Sequence, residues 1–336
     1  MHIQEESVDD LLNGVYTSLL GSKKFVTTSK GKTVESIGAI LSLKNPRARL
    51  SSSETRLRLF SALGEIVWYL AGSDDRDLIA HYIRYYAGTK LANGRVPGAY
   101  GPRLFGTAPN DQIAKVIEVL KQRPTSRRAV VQLYRAEDLA LSVGATSTSE
   151  LLDVPCTCTL QFLIREEALQ LLVNMRSNDA YMGLPHDIFC FTMLQELVAR
   201  ALDTEPGAYF HIVGSLHLYE EDLPSAREYL YEGWHNAAPM PPMPHGNQMR
   251  NANSLVEAER EIRKTHGTSA LIGLPPYWRN LGILLHTHDA LTNTPPKQHI
   301  EILRSAREQV EGEVFKRYLL DRQHAICDRP QERREA

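Results

Sequence analysis

The chain lacks most of the features that would place it in a special class. Among 336 residues there are four cysteines, three tryptophans and 7% aromatic residues in all. Four cysteines (Cys156, Cys158, Cys190 and Cys327) in so long a chain do not form the dense disulfide framework of small secreted domains. They point to a reducing compartment, and the expected home is the cytoplasm. Neither sign of charge is in excess, with 38 Lys and Arg against 40 Asp and Glu, a formal net charge of −2. That balance removes any global electrostatic argument for binding nucleic acid or a membrane, so an anion site has to be a local cluster of cations. No apolar run reaches about 18 residues, so no transmembrane helix is expected. The start, Met1-His2-Ile3-Gln4-Glu5-Glu6, is acidic without an apolar core, so no secretory signal is expected either. Repeats and low-complexity segments are absent.

What is present is ordinary globular material, 43% hydrophobic and 23% charged, enough for one large domain or two average ones. Ser51-Ser52-Ser53-Glu54 reads as a capping box, followed by an apolar stripe (Leu59, Phe60, Leu63, Ile66, Val67, Leu70) and a stop at Gly72. The spacing predicts a helix over 54–71. Strands are expected at 129–134, 159–164, 169–175 and 209–219, the middle two joined by a turn at Arg165-Glu166-Glu167. A helix is expected over 187–202. Strands mixed with long helices indicate an α+β core. Prolines at 239, 241, 242 and 244 break the chain. Beyond them the pattern predicts helices at 254–264, 277–291 and 296–323. The expected division is therefore 1–235, a catalytic domain, and 236–336, a mostly helical C-terminal extension packed on it.

Several residues carry possible chemistry, each with a plainer alternative. Cys156 follows a proline, and a thiolate next to a positive charge is a nucleophile near neutral pH; a lone cysteine is also common as inert core. Cys156-x-Cys158 has the spacing of half a zinc site, but no second Cys or His pair completes four ligands, so no metal is expected. Arg127, Arg128 and Arg176 suit phosphate, or surface ion pairs. Lys30-Gly31-Lys32-Thr33 resembles the end of a phosphate loop, but the glycine that pattern needs is Val26. Asp187 reads equally as a helix N-cap. His217 and Tyr219 share one face of a strand, as binding groups or as satisfied polar side chains. Glu65 sits among apolar neighbours, where a carboxylate is costly without a partner or a task.

Taken together, Pro155-Cys156, Arg176-Ser177-Asn178-Asp179, Gly183-Leu184-Pro185-His186-Asp187 and His217-Leu218-Tyr219 resemble the thymidylate synthase family. That pattern is a Pro-Cys nucleophile, Arg-Ser-x-Asp, Gly-Leu-Pro-x-Asn and His-x-Tyr. The likeness extends through Ser126-Arg127-Arg128, Tyr100-Gly101 and Glu65-Ile66-Val67-Trp68 and covers roughly residues 25–235. It implies a mixed sheet with surrounding helices, a homodimer, a pyrimidine nucleoside monophosphate as substrate and 5,10-methylenetetrahydrofolate as co-substrate. It implies that Cys156 adds to C6 of the base, that Glu65 assists proton transfers, and that Tyr100 helps the C5 proton leave. Arg176 and Ser177 would hold the 5′-phosphate, with Arg127 and Arg128 reaching it from the partner subunit. His217 and Tyr219 would bind a sugar hydroxyl, and the backbone near Asp179 the base O2.

The departures from the pattern are informative. Asp187 stands where the family has its base-reading asparagine. An ionised carboxylate only accepts hydrogen bonds, so it suits the amino group of cytosine rather than O4 of uracil. This is the substitution of the cytidylate hydroxymethylases, which trap the one-carbon unit with water. Tyr85-Tyr86 occupies the region of the family's folate-side tryptophan, and the closing tail is replaced by Gln331-Glu332-Arg333-Arg334-Glu335-Ala336. The phosphate-loop arginine is missing, with Lys30 preferred over Lys32 as its substitute. Thr157 replaces a histidine and Ser215 an aspartate. The resemblance thus implies 5-hydroxymethylation of CMP, ahead of dCMP on chain length. Reductive methylation of dUMP or dCMP, a non-catalytic nucleic-acid-binding relative and a nucleotide kinase remain as rivals.

Overall fold

The computed structural model describes residues 1–28, 30–53, 58–89, 91, 93–106, 110–144, 153–233 and 238–327. Among these residues seven strands form one mixed sheet: β1 (His2–Glu5), β2 (Phe25–Thr28), β3 (Gly31–Leu43), β4 (Val130–Gln132), β5 (Thr157–Arg165), β6 (Ala168–Asp179) and β7 (Glu205–Tyr219). The order is β1-β3-β7-β6-β5-β4, with β2 paired on β3. β1 with β3 and β6 with β7 run parallel, and the other neighbours antiparallel. The helices of the first part are α1 (Val8–Leu20), α2 (Leu59–Leu70), α3 (Arg76–Tyr82), α4 (Arg84–Ala87), α5 (Gly101–Leu104), α6 (Gln112–Gln122), α7 (Ala136–Gly144), α8 (Gly183–Ala201) and α9 (Leu223–Tyr231). The C-terminal region adds α10 (Met249–Thr265), α11 (Pro276–Asn293), α12 (His299–Gln309) and α13 (Glu313–Cys327).

The sheet bends where the site will form. In β6 the inward residues are Leu169, Leu171, Val173 and Met175, and then Asn178. In β7 they are Tyr209, His211 and Val213, then Leu216 and Leu218; in β3, Val34 and then Ala39, Leu41 and Leu43. Three neighbouring strands thus change inward parity along one line. Gly38 on that line has φ +67°, which costs little only without a Cβ. Gly214 lies across from it, and a Cβ there would come within 2.8 Å of the Arg176 carbonyl oxygen. The change turns Asn178 inward and leaves His217 and Tyr219 together on the opposite face.

Three expectations are corrected. Positions 54–57 lie outside the described residues, and α2 begins at Leu59 after a non-helical Arg58. The Ser51 and Ser52 hydroxyls do not cap it, because both bond the buried carboxylate of Asp9. The helix expected at 187 begins at Gly183, since Pro185 falls in its first turn, where a missing N–H has no carbonyl to serve. Asp187 is therefore inside α8 and not its N-cap. The helix expected over 296–323 is broken at Val310–Gly312, where Gly312 takes φ +96°.

The prolines at 239–244 form an irregular strap held to α8. Arg200 Nε donates to the Met243 carbonyl at 2.9 Å, and the Met243 N–H donates to Glu196 at 3.0 Å. Helices α10 and α11 then pack behind α2. Tyr82 donates to Glu259 of α10 at 2.9 Å and stacks on His288 of α11, while Phe60 meets Tyr318 of α13 edge-on at 5.2 Å. The apolar cores of the two regions are continuous. Among the described residues no helix is long and apolar enough to cross a membrane.

Candidate active site

Cys156 sits just ahead of β5, partly exposed. Arg176 on the neighbouring strand fixes that segment. Its N–H donates to the Cys156 carbonyl at 2.9 Å, Nε to the Pro155 carbonyl at 3.0 Å and Nη2 to the Val154 carbonyl at 3.0 Å. Nη2 also lies 3.7 Å from Sγ. The sequence leads one to expect a positive charge to lower the thiol's pKa. Burial outweighs it and pushes the Cys156 thiol up, with Arg176 pulling down and Asp187 and Asp153 pushing up.

Tyr100 is buried beneath the nucleophile. Its hydroxyl accepts from the Thr157 N–H and Oγ1, both at 3.0 Å. Its ring packs on Tyr69 of α2 at 5.3 Å and on Phe191 of α8 at 6.1 Å. Tyr69 in turn donates to Glu65 Oε1 at 2.8 Å, one helical turn away. Glu65 is half-buried by surface area but walled by protein, as the floor of a cleft is. Burial lifts its pKa to about 7, against the Tyr69 hydrogen bond.

A carboxyl lifted from its usual 4.5 to about 7 favours folding while protonated. That contribution is complete below the unfolded pKa and is lost as pH rises through 7. Glu65→Gln keeps an acceptor for Tyr69 and has no charge to bury. It is expected to match the parent in thermal stability at pH 5 and to exceed it at pH 8, by up to about 3 kcal/mol. Melting curves of both proteins at the two pH values check this.

Asp187 lies in the first turns of α8, 8% exposed. Its Oδ2 accepts from Asn178 Nδ2 at 2.7 Å. Burial first, then the charge of Glu65, hold its pKa well above the usual carboxylate range, against the Asn178 bond. Burial thus favours the neutral form of Asp187 over the ionised one expected from the sequence, and a neutral acid is an acceptor at one oxygen and a donor at the other. Asp187 acts electrostatically on both Cys156 and Tyr100, so nucleophile, acids and tyrosine share one cluster.

The other expected residues are placed as follows. Asp179 Oδ1 accepts from the N–H groups of Tyr181 (2.8 Å) and Met182 (3.1 Å) and shapes the turn into α8. Asp179 pairs with His217 and Ser177 with Ser215 across β6 and β7. The His217 and Tyr219 rings meet edge-on at 5.1 Å. Ser215 donates to Glu35 at 2.7 Å. Lys30, exposed at the tip of the β2–β3 hairpin, extends its charge to Cys156 and Asp153. Arg127 and Arg128 are exposed ahead of edge strand β4, and neither is among the groups acting on Cys156, Glu65 or Asp187. Cys158 is partly buried, and among the described residues no group of three or more His, Cys, Asp and Glu is arranged to hold a metal ion.

Sequence reasoning missed Tyr69, Asp153 and Asn178. Tyr69 had a usable signal, four residues after Glu65 on one helix. Tyr86 is partly buried against Trp68 at 5.7 Å, with the exposed ring of Tyr85 edge-on to it at 5.5 Å. Asp153, near the nucleophile, is pushed up by burial. Asn178 was read only as the unspecified position of a motif.

A family model for thymidylate synthase matches residues 29–255. A thymidylate synthase of Francisella philomiragia subsp. philomiragia is 28% identical over 183 residues, 52% of this chain and 66% of that protein. The aligned part thus falls just short of two-thirds of that relative's length. The thermostable thymidylate synthase A of Bacillus subtilis superimposes with a TM-score of 0.56 at 22% identity, covering 69% of this chain and 86% of the other. The thymidylate synthase of T4 phage gives 0.54 at 21%, covering 68% and 85%. At these identities the two structures speak for the fold.

Proposed function

The chain belongs to the thymidylate synthase family, and from that premise we propose that it hydroxymethylates C5 of a cytidine monophosphate, CMP ahead of dCMP. The observation that carries this reading is a buried carboxyl, Asp187, in one cluster with Cys156, where the motif resemblance sets the family's asparagine. N3 of cytosine is a ring nitrogen of basicity comparable to a carboxylate. A neutral acid donates to it, or transfers its proton, while the other oxygen accepts from the 4-amino group. Uracil presents the reverse order, N3–H and a weakly basic O4. Protonation at N3 also makes C6 more electrophilic, which helps a thiol whose own pKa is raised.

In this reading Cys156 Sγ bonds to C6, C5 becomes nucleophilic and bonds the incoming carbon, and the C5 proton leaves toward the Tyr100 side. Loss of the thiolate restores the ring. The 5,10-methylenetetrahydrofolate co-substrate supplies a carbon at the oxidation level of formaldehyde. Water supplies the hydroxyl, tetrahydrofolate departs, and no net oxidation occurs. The exposed ring of Tyr85, beside partly buried Tyr86, suits a flat heteroaromatic co-substrate, and Tyr86 lies within electrostatic reach of Glu65. Glu65, titrating at about 7, is suited to hold or release a proton at neutral pH. Arg176, Ser177 and Lys30 would meet the phosphate, with Arg127 and Arg128 of a second subunit; His217 and Tyr219 would meet the sugar. Residues 1–235 would carry this chemistry, and 236–336 would back α2 and with it Glu65.

The raised pKa of Asp187 gives a second reading some support, because a neutral acid with a freely placed proton also fits uracil. That reading is reductive methylation of dUMP. A product assay with CMP, dCMP and dUMP in parallel, each with the folate donor, separates them. Hydroxymethylation adds CH2O to the nucleotide and methylation CH2, a difference of one oxygen in the mass spectrum. The expected product is hydroxymethyl-CMP; a methylated uracil nucleotide as the main product would overturn the proposal.

A further inference from the structure

Behind Asp187 runs a chain of buried polar groups that the reaction does not use. Tyr209 Oη lies 2.7 Å from His211 Nδ1, His211 Nε2 lies 3.1 Å from Asn178 Oδ1, and Asn178 Nδ2 lies 2.7 Å from Asp187 Oδ2. Tyr209 and His211 are fully buried, and Asn178 is 4% exposed. The bend in the sheet is what brings Asn178 to this side.

The direction of the hydrogen bonds is set at the far end. His211 is held neutral, its pKa lowered to about 3 by burial, so it has one N–H. Among the described residues the Tyr209 hydroxyl has His211 as its hydrogen-bond partner. A buried hydroxyl with one partner donates to it, since otherwise its own hydrogen would be left unpaired. Nδ1 is then the acceptor and Nε2 carries the hydrogen. That hydrogen points at Asn178 Oδ1, which orients the amide so that Nδ2 faces Asp187.

We infer that Asn178 is a positioning residue for base selection: by donating to Oδ2 it marks that oxygen as the acceptor and confines any proton of Asp187 to Oδ1. A carboxyl whose proton moves freely between its oxygens fits cytosine and uracil alike, because the two bases present donor and acceptor in opposite orders. A carboxyl with a fixed order discriminates. This inference rests on the proposed reading of Asp187 as the group that meets the base, and it supplies what that reading leaves open, namely why the acid does not serve both.

The test is the ratio of CMP to UMP affinity, by titration calorimetry on the full chain, in the parent, Asn178→Ala and Tyr209→Phe. The parent is expected to prefer CMP, and Asn178→Ala to bring the ratio about tenfold or more toward unity. Tyr209→Phe removes one hydroxyl and should move the ratio the same way by less, which covers the case of an unstable Asn178 variant. A merely structural role would weaken both nucleotides in parallel and leave the ratio unchanged, and that result overturns the inference, as does a parent with no preference. A parent that prefers UMP would instead overturn the proposed substrate, while collapse of that preference in Asn178→Ala would still support the fixed proton.

Discussion

Replacing Cys156 by serine is expected to abolish exchange of the C5 hydrogen of CMP with solvent, by about 10^4-fold or more, with nucleotide affinity little changed. Exchange requires a covalent bond at C6, because only then does C5 become basic enough to lose and regain a proton. The hydroxyl of serine is far less acidic than a thiol, and here even the thiol is pushed up by burial. The fold should survive the change, since Arg176 holds this segment chiefly through the carbonyls of residues 154–156, at 2.9 to 3.0 Å, with sulfur more distant at 3.7 Å. Tritium release from 5-tritiated CMP measures the step directly, without needing the folate. In the parent the rate should rise with pH as the thiolate becomes populated, whereas the serine variant should show no such limb. A serine variant that exchanges the hydrogen at the parent rate would remove Cys156 from the chemistry and leave the proposed function without its nucleophile.

The motif residues were legible because their spacing along the chain is short and several carry the backbone as well as the chemistry. Gly183-Leu184-Pro185 opens α8, and Asp179 shapes the turn before it. The β5–β6 hairpin followed from two alternating apolar runs around Glu166 and Glu167, both of which take positive φ in the turn. The N-terminal part of the sheet was not legible. β1 has four residues, and β3 changes inward parity at Gly38, which spoils the two-residue period that would reveal a strand. The pairing of Asn178 with Asp187 joins a strand to a helix, and no local pattern encodes it. The burial of Asp187 was not legible for a related reason. Its burial and the nearness of Glu65 come from α2 and α8 packing side by side, 122 positions apart in the chain by residue number. The role of the C-terminal helices was likewise invisible, because their contacts with α2 are made by scattered residues such as Glu259, His288 and Tyr318.

Asp187→Asn is expected to shift turnover from cytosine toward uracil nucleotides, on the order of 10^2-fold or more in the ratio of kcat/KM values. The amide is close to the neutral acid in shape and in hydrogen-bonding order, so the effect is not chiefly one of fit. It lies in the proton. An acid can pass its proton to N3 as the thiol attacks C6, and an amide cannot, so cytosine loses its activation. Uracil needs only static hydrogen bonds and loses little. Asn178 limits the gain for uracil, because it still donates to whichever atom replaces Oδ2 and thereby holds the amide in the order that suits cytosine. Adding Asn178→Ala to Asp187→Asn should release the amide to turn and raise uracil turnover further, so the two changes are non-additive. Parallel kinetics with CMP and dUMP measure both effects. An unchanged ratio in Asp187→Asn would mean that residue 187 does not read the base, and both the proposed substrate and the positioning role of Asn178 would fall with it.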